Sequence, residues 1–327
     1  MKYVKICFCL LLCALLLAAC GKTEDREERL IRVGFSQVGS ESDWRMANTA
    51  SMISALCEEE GFELIFDNAK QRQENQFLAI RNFIQQDVDY IVLAPIAESG
   101  WEDVLLEAKN AGIPVIIVDR QIAVEDESLY ISWVGSDFLA EGETAVKWLE
   151  AQLEEQGRDR EPLRILHIQG TDGATAQILR TRALDEAVAR HENWEIAARL
   201  PGEYTEAKSY ELVRDYLKTD REIDVIYSEN DNMSFGAIRA LEEAGLPIGK
   251  DGGVIILSFD AVRDALSKCL DGKIDLCVEC NPLHGPRVAA IIRQLEAGER
   301  LPKQTYVDES SFCAADLTEE LIQSREY

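Results

Sequence analysis

Pro114-Val115-Ile116-Ile117-Val118-Asp119-Arg120 is the stretch on which the reading of this chain turns. Four β-branched apolar residues run together and stop abruptly at two opposite charges. A strand with one wet face would alternate apolar and polar residues; an unbroken run is expected where both faces are covered. Upstream, Tyr90-Ile91-Val92-Leu93-Ala94 has the same character and ends at Pro95, and Trp101 to Asn110 between the two reads as a helix with Gly112 beyond it. Further out, Ile31 to Ser36 and Phe62 to Asp67 read as strands. Arg45 to Glu59, stopped by Gly61, and Gln73 to Gln86 read as helices. Strands that alternate with helices at this spacing imply a parallel, doubly wound sheet.

The series then restarts. Arg164 to Ile168, Trp194 to Leu200, Asp224 to Tyr227 and Val254 to Leu257 read as strands. Ala174 to Arg190, Ala207 to Lys218 and Met233 to Ala244 read as helices. The expected fold class is α/β: two similar doubly wound parallel-sheet lobes joined by a multi-crossing hinge. One crossing falls near Trp133 to Asp137, and a final helix, Leu283 to Ala297, returns to the first lobe. The expected partition is 30–135 plus 281–308 for the N-terminal lobe and 136–280 plus 309–327 for the C-terminal lobe.

Residues 1–19 read as a secretory signal. Lys2 and Lys5 precede an apolar run from Ile6 to Leu17, which is shorter than the roughly 18 residues a membrane span needs. Leu17-Ala18-Ala19-Cys20 resembles the lipobox of bacterial lipoproteins, and that resemblance implies lipid on Cys20 and an extracytoplasmic protein anchored to the cell membrane. Residues 20–29 are polar, rich in charge and without hydrophobic period, as a flexible tether would be.

Composition removes several function classes. The formal charge is −26, and loss of the two cations Lys2 and Lys5 would take it to about −28. Such a surface repels phosphate backbones, so no nucleic-acid partner is expected. Three scattered histidines argue against a His-based metal site. Of nine cysteines, Cys57, Cys269, Cys277, Cys280 and Cys313 lie beyond the signal and the lipid site. Cys277 and Cys280 form C-x-x-C in an extended run, where residues three apart point to opposite faces, so they read as small buried hydrophobes. The first strand leads into Gln37-Val38-Gly39-Ser40-Glu41, which is no dinucleotide turn, and neither a Walker A loop nor a G-x-S-x-G elbow occurs. No cofactor, no metal and no enzymatic activity are expected.

Ligands of open parallel sheets bind beyond the carboxyl ends of the strands. Glu41, Trp44, Arg45, Asp119, Arg120, Asn230 and Asp260 all fall there, and Arg180 lies one helical stretch beyond a strand of the second lobe. Each has a plainer alternative. Asn230 and Asp260 stand where helix N-caps would, Asp119-Arg120 could pair locally, Trp44 could be core, and Tyr204 could pack on a lobe surface. Together, carboxylates that accept and guanidinium and amide groups that donate suit a ligand dense in neutral hydroxyls, with Trp44 and Tyr204 against its apolar face.

Val33-Gly34-Phe35-Ser36-Gln37-Val38-Gly39-Ser40-Glu41-Ser42, followed by Trp44-Arg45, closely resembles the opening of bacterial galactofuranose-binding proteins, a subgroup of the ribose-type (type I) periplasmic sugar-binding proteins of ABC transporters. Gln73 to Gln76, Ala94-Pro95, Gly100-Trp101-Glu102, Asp119-Arg120, Gln169-Gly170-Thr171, Asn230-Asp231 and Gly285-Pro286 continue the resemblance over about residues 30 to 316. It implies a site at Trp44, Arg45, Asp119, Arg120, Arg180, Tyr204, Asn230, Asp260 and Glu279, with Glu41 beside it. It departs at Leu179 to Leu184 and at Ala261, where the family tends to have Gly. The implied ligand is a neutral monosaccharide, galactofuranose or a similar furanose or pentose. The implied partners are an ABC permease or, alternatively, a signalling kinase that reads the bound form, and the implied state is a monomer. A sugar-responsive repressor shares the fold, but no DNA-binding helix pair is expected before Leu30. An extracellular glycosidase would be the enzymatic counterpart.

Overall fold

The computed structural model describes residues 29–327; the signal-peptide and Cys20 readings lie outside the described residues. The apolar runs form two six-stranded sheets. The first comprises β1 (Ile31–Gln37), β2 (Phe62–Asn68), β3 (Tyr90–Leu93), β4 (Val115–Val118), β5 (Ser132–Gly135) and β11 (Gln304–Tyr306), in the order β11-β5-β4-β3-β1-β2. The second comprises β6 (Leu163–Gln169), β7 (Trp194–Pro201), β8 (Val225–Ser228), β9 (Ile255–Asp260), β10 (Leu276–Glu279) and β12 (Ser311–Phe312), in the order β12-β10-β9-β8-β6-β7. Every pairing is parallel except β10 with β12. β3, β4, β8 and β10 are buried at every residue, because helices cover both faces of each sheet.

The first sheet is flanked by α1 (Asp43–Ala55), α2 (Gln73–Gln85), α3 (Glu102–Asn110) and α9 (Gly285–Glu296). The second is flanked by α4 (Phe138–Glu155), α5 (Thr175–Arg190), α6 (Glu206–Tyr216), α7 (Asp231–Ala244), α8 (Arg263–Leu270) and α10 (Glu319–Ser324). Two hydrophobic clusters line the faces of the first sheet, around Phe35 and Val92 on one side and Ile91 and Ile117 on the other. Two more line the second, around Leu166 and Ile256 and around Tyr227 and Phe259. Residues 31–327 form one unit. The chain passes from sheet to sheet three times: between β5 and α4, between β10 and α9, and between β11 and β12.

Several helix limits differ from the sequence reading by one to four residues, and two of the differences have a clear local cause. α1 ends at Ala55, not Glu59, because Cys57 is extended and Glu58–Glu60 tightens into a 3₁₀ turn closed by Gly61 at φ 86°. α9 starts at Gly285 rather than Leu283, with Pro286 in its first turn, where the missing N–H costs nothing.

Candidate functional site

The strand ends of the two sheets face one another across a closed cleft. The cavity between them has about 300 Å³ of space free of atoms, of which the centre of a water molecule could visit about 30 Å³. Glu41, Trp44, Arg45, Asp119, Arg120, Arg180, Tyr204, Asn230 and Asp260 all line it. Glu279 does not. It ends β10 behind the cavity, where Arg325 Nη2 donates to its Oε1 at 2.7 Å, the Tyr327 hydroxyl at 2.5 Å, and Ser310 N to its Oε2 at 3.0 Å. The C-terminal tail thus occupies the carboxylate that the resemblance assigned to the ligand.

On the first sheet, Ser42 caps α1 by accepting from Arg45 N at 3.1 Å, which fixes the first helical turn at the end of β1. Arg45 Nε donates to Glu41 Oε1 at 3.0 Å, and its Nη1 lies 2.8 Å from Asp119 Oδ2. Asp119 therefore pairs with Arg45 and not with its neighbour Arg120. Burial pushes the Asp119 carboxyl up, but Arg45 and Arg120 outweigh that and hold it below the usual carboxylate range. Arg120 Nη1 donates to Ile96 O at 2.9 Å, and its guanidinium crosses the cleft to within 5.1 Å of the Tyr204 ring centre. Trp44 Nε1 donates to Cys280 O at 2.6 Å, so the indole is held by a crossing segment while it also joins the core of the second lobe.

On the second sheet, Arg180 Nε donates to Glu141 Oε2 at 2.7 Å and its Nη1 to Glu229 O at 2.5 Å, with Asp260 Oδ1 at 3.9 Å from Nη2. Phe138 and Phe259 flank the guanidinium at 5.3 and 4.8 Å. Asn230 does cap α7, its Oδ1 accepting from Met233 N at 2.9 Å, and still reaches the cavity with its amide. Asp260 is not a cap; α8 begins after Val262, and Asp260 ends β9. Burial and the nearby Asp231 carboxylate push the Asp260 carboxyl well above the ordinary carboxylate range, so that it holds its proton more tightly. Asp231 itself is pushed up to about 7 by burial.

Four cavity-side residues hold positive φ: Asp119 (64°), Tyr204 (62°), Asp260 (112°) and Ala261 (57°). The left-handed region costs a non-glycine residue roughly 1–2 kcal/mol, and such strain gathers where a site needs particular side-chain directions. Ala261 stands where the resemblance favours Gly, and its backbone conformation supplies the reason. Tyr204 OH and Glu41 Oε2 are buried without a hydrogen-bond partner, and Asp119 Oδ2 and Arg180 Nη2 are held by ion pairs alone. A buried polar atom with no partner costs about 1–3 kcal/mol, so Tyr204 OH and Glu41 Oε2, on residues that line one cavity from its two sides, call for a polar occupant.

The sequence reading did not place Ser42, Phe138, Ala176 or Cys280 in the site, and these complete the lining. The three histidines lie apart, His167 with Glu229, His191 with Glu150 and His284 with Asn48. The lobes also touch directly around the cavity. Asp43 N donates to Asn232 Oδ1 and Asn232 Nδ2 to Asp43 Oδ2, both at 3.0 Å. Gln121 N donates to Thr175 Oγ1, and Glu98 N to Gly173 O, each at 2.9 Å.

Residues 33–299 match the periplasmic binding protein domain. The chain is 36% identical over 299 residues to the galactofuranose-binding protein YtfQ of Escherichia coli (strain K12), covering 90% of this chain and 91% of that one. Among solved structures it is similar to a Mycobacterium smegmatis protein in complex with β-D-fucofuranose (TM-score 0.82, 39% identity, 87% and 92% of the two chains). It is equally similar in sequence to the binding component of the arabinose ABC transporter from Shewanella sp. ANA-3, bound to α- and β-L-arabinofuranose (TM-score 0.80, 39% identity, 87% and 92%).

Proposed function

The chain belongs to the periplasmic binding protein family, a family of extracytoplasmic solute-binding proteins and not of enzymes, and from that premise we propose that it captures a neutral monosaccharide in its furanose form and delivers it to an ABC permease. Galactofuranose, or a five-membered-ring sugar such as arabinofuranose, is the proposed ligand. The observation that carries this reading is the convergence of polar groups from both lobes on one buried cavity, with Tyr204 OH and Glu41 Oε2 lacking a hydrogen-bond partner and Asp119 Oδ2 and Arg180 Nη2 held by ion pairs alone. Arg120, Arg180 and Asn230 donate, Asp119, Asp260 and Glu41 accept, and Trp44 and Tyr204 offer flat apolar faces. Glu279 is left out of this set. The working partition is 30–135 with 281–308 and 136–280 with 309–327, one protomer acting alone, tethered by lipid on Cys20.

A thermal-shift and calorimetric panel of furanose-rich sugars, hexoses, pentoses and amino acids tests the ligand class. A sugar present at ~100 times its dissociation constant should stabilise the fold by about 2.7 kcal/mol. An amino acid that shifts the transition while every sugar leaves it unmoved would overturn the reading.

A further inference from the structure

The three crossings between the lobes meet at one carboxyl oxygen. Glu309 lies on the crossing between β11 and β12. Its Oε1 accepts from the Ser136 hydroxyl on the first crossing at 2.6 Å and from Asn281 N on the second at 2.6 Å. Ser136 Oγ also lies 3.3 Å from Cys280 Sγ. Cys280 in turn lines the sugar cavity, and its carbonyl accepts from the Trp44 indole at 2.6 Å. Resting on the reading of this cavity as a sugar site, we propose that Glu309 is a positioning residue: its carboxyl fastens the three crossings together in the closed form and, through Asn281 and Cys280, sets the Trp44 indole against the sugar.

The charges around Glu309 give this fastening a pH dependence. Glu141, from α4, Cys280 and Arg180, from α5, face it, and Asp137, Glu279 and Asp308 share the recess beside it. Burial, and then the Glu141 carboxylate, push its carboxyl up to about 8 in the closed form. Opening turns the crossings and admits water, which returns the carboxyl toward the ordinary value of roughly 4.3. The closed form therefore holds a proton that the open form releases. Closure, and sugar binding with it, weakens as pH rises from roughly 5 to 8 and levels off above that, by at most about tenfold per pH unit.

Sugar affinity by calorimetry, and the radius of gyration of the sugar-free protein by small-angle scattering, are measured across this pH range for the wild type, Glu309→Ala and Glu309→Gln. Gln keeps the accepting oxygen and replaces the acid proton by an amide N–H. Glu309→Ala should lose tenfold or more in affinity and expand the sugar-free protein. Glu309→Gln should keep the affinity of the wild type's acid limb at every pH. Unchanged affinity and unchanged radius in Glu309→Ala, or the same pH slope in Glu309→Gln as in the wild type, would overturn the proposal. The scattering arm decides it even where no sugar binds, an outcome that would sink the functional reading instead.

Discussion

Arg120 and Arg180 reach the same cavity with different obligations. Arg180 neutralises Glu141 and approaches Asp260, so its removal strands buried carboxylates, a loss that costs roughly 3–5 kcal/mol and endangers the fold. Arg120 gives one hydrogen bond to a backbone carbonyl and lies over Tyr204. It is the cleaner probe of binding. A buried hydrogen bond to a charged group contributes about 1.5–3 kcal/mol, so Arg120→Ala should weaken sugar binding by at least about tenfold with little change in melting temperature. Arg182, two residues from Arg180, points to solvent and pairs with Glu186 one helical turn on. Such an exposed pair contributes about 0.3–0.5 kcal/mol, and Arg182→Ala should bind sugar as the wild type does. Calorimetry on the two variants checks both; equal losses would refute the assignment of the cavity.

At the scale of elements, Tyr204 depends on the residue that follows β6. A Cβ placed on Gly170 would stand 1.9 Å from Tyr204 Cζ, so only glycine lets the ring lie in the cavity. Gly170→Ala should push the ring aside and cost roughly 1–3 kcal/mol of packing, with a loss of sugar affinity of about tenfold or more. Wild-type affinity in that variant, read by calorimetry, would show that Tyr204 is no part of the site. The strands were legible because burial on both faces writes them as unbroken apolar runs, and the strand-end rule then pointed to the cavity residues. α4, α8, α10 and the short strands β5, β11 and β12 were not named. Phe138, Ala145, Val146, Leu149 and Leu153 do recur at helical spacing in α4, but they follow a crossing where no strand announces a new βα unit. Tyr306, in β11, is exposed and the three-residue strand carries no apolar run. Glu279 went astray for a long-range reason: its partners Arg325 and Tyr327 are brought by the C-terminal tail, which nothing near Glu279 in sequence announces. Cys280 was read as core because the run from Ile274 looks like one strand. That strand stops at Glu279, and the next residue turns into the cleft.

For the whole molecule, both sheets and all three crossings lie within residues 31–327, so the proposed lipid on Cys20 would lie outside every element that builds the cavity. Cys20→Ala should therefore release the protein from the membrane fraction while its sugar affinity stays within about twofold, since no group of the site is touched. A variant that still sediments with membranes after a high-salt wash would refute lipid on Cys20. The contacts from Asp43 to Asn232, from Gln121 to Thr175 and from Glu98 to Gly173 have a separate consequence, in time rather than in energy. None of them involves the cavity, so the lobes can shut with nothing inside. A shut, vacant receptor admits no sugar until it reopens, and its capture rate is scaled down by the fraction of time it spends that way. The same contacts hold a captured sugar longer. In a medium where sugar is scarce, retention outweighs speed; where sugar is plentiful, the vacant shut form competes with loaded receptors for the same permease.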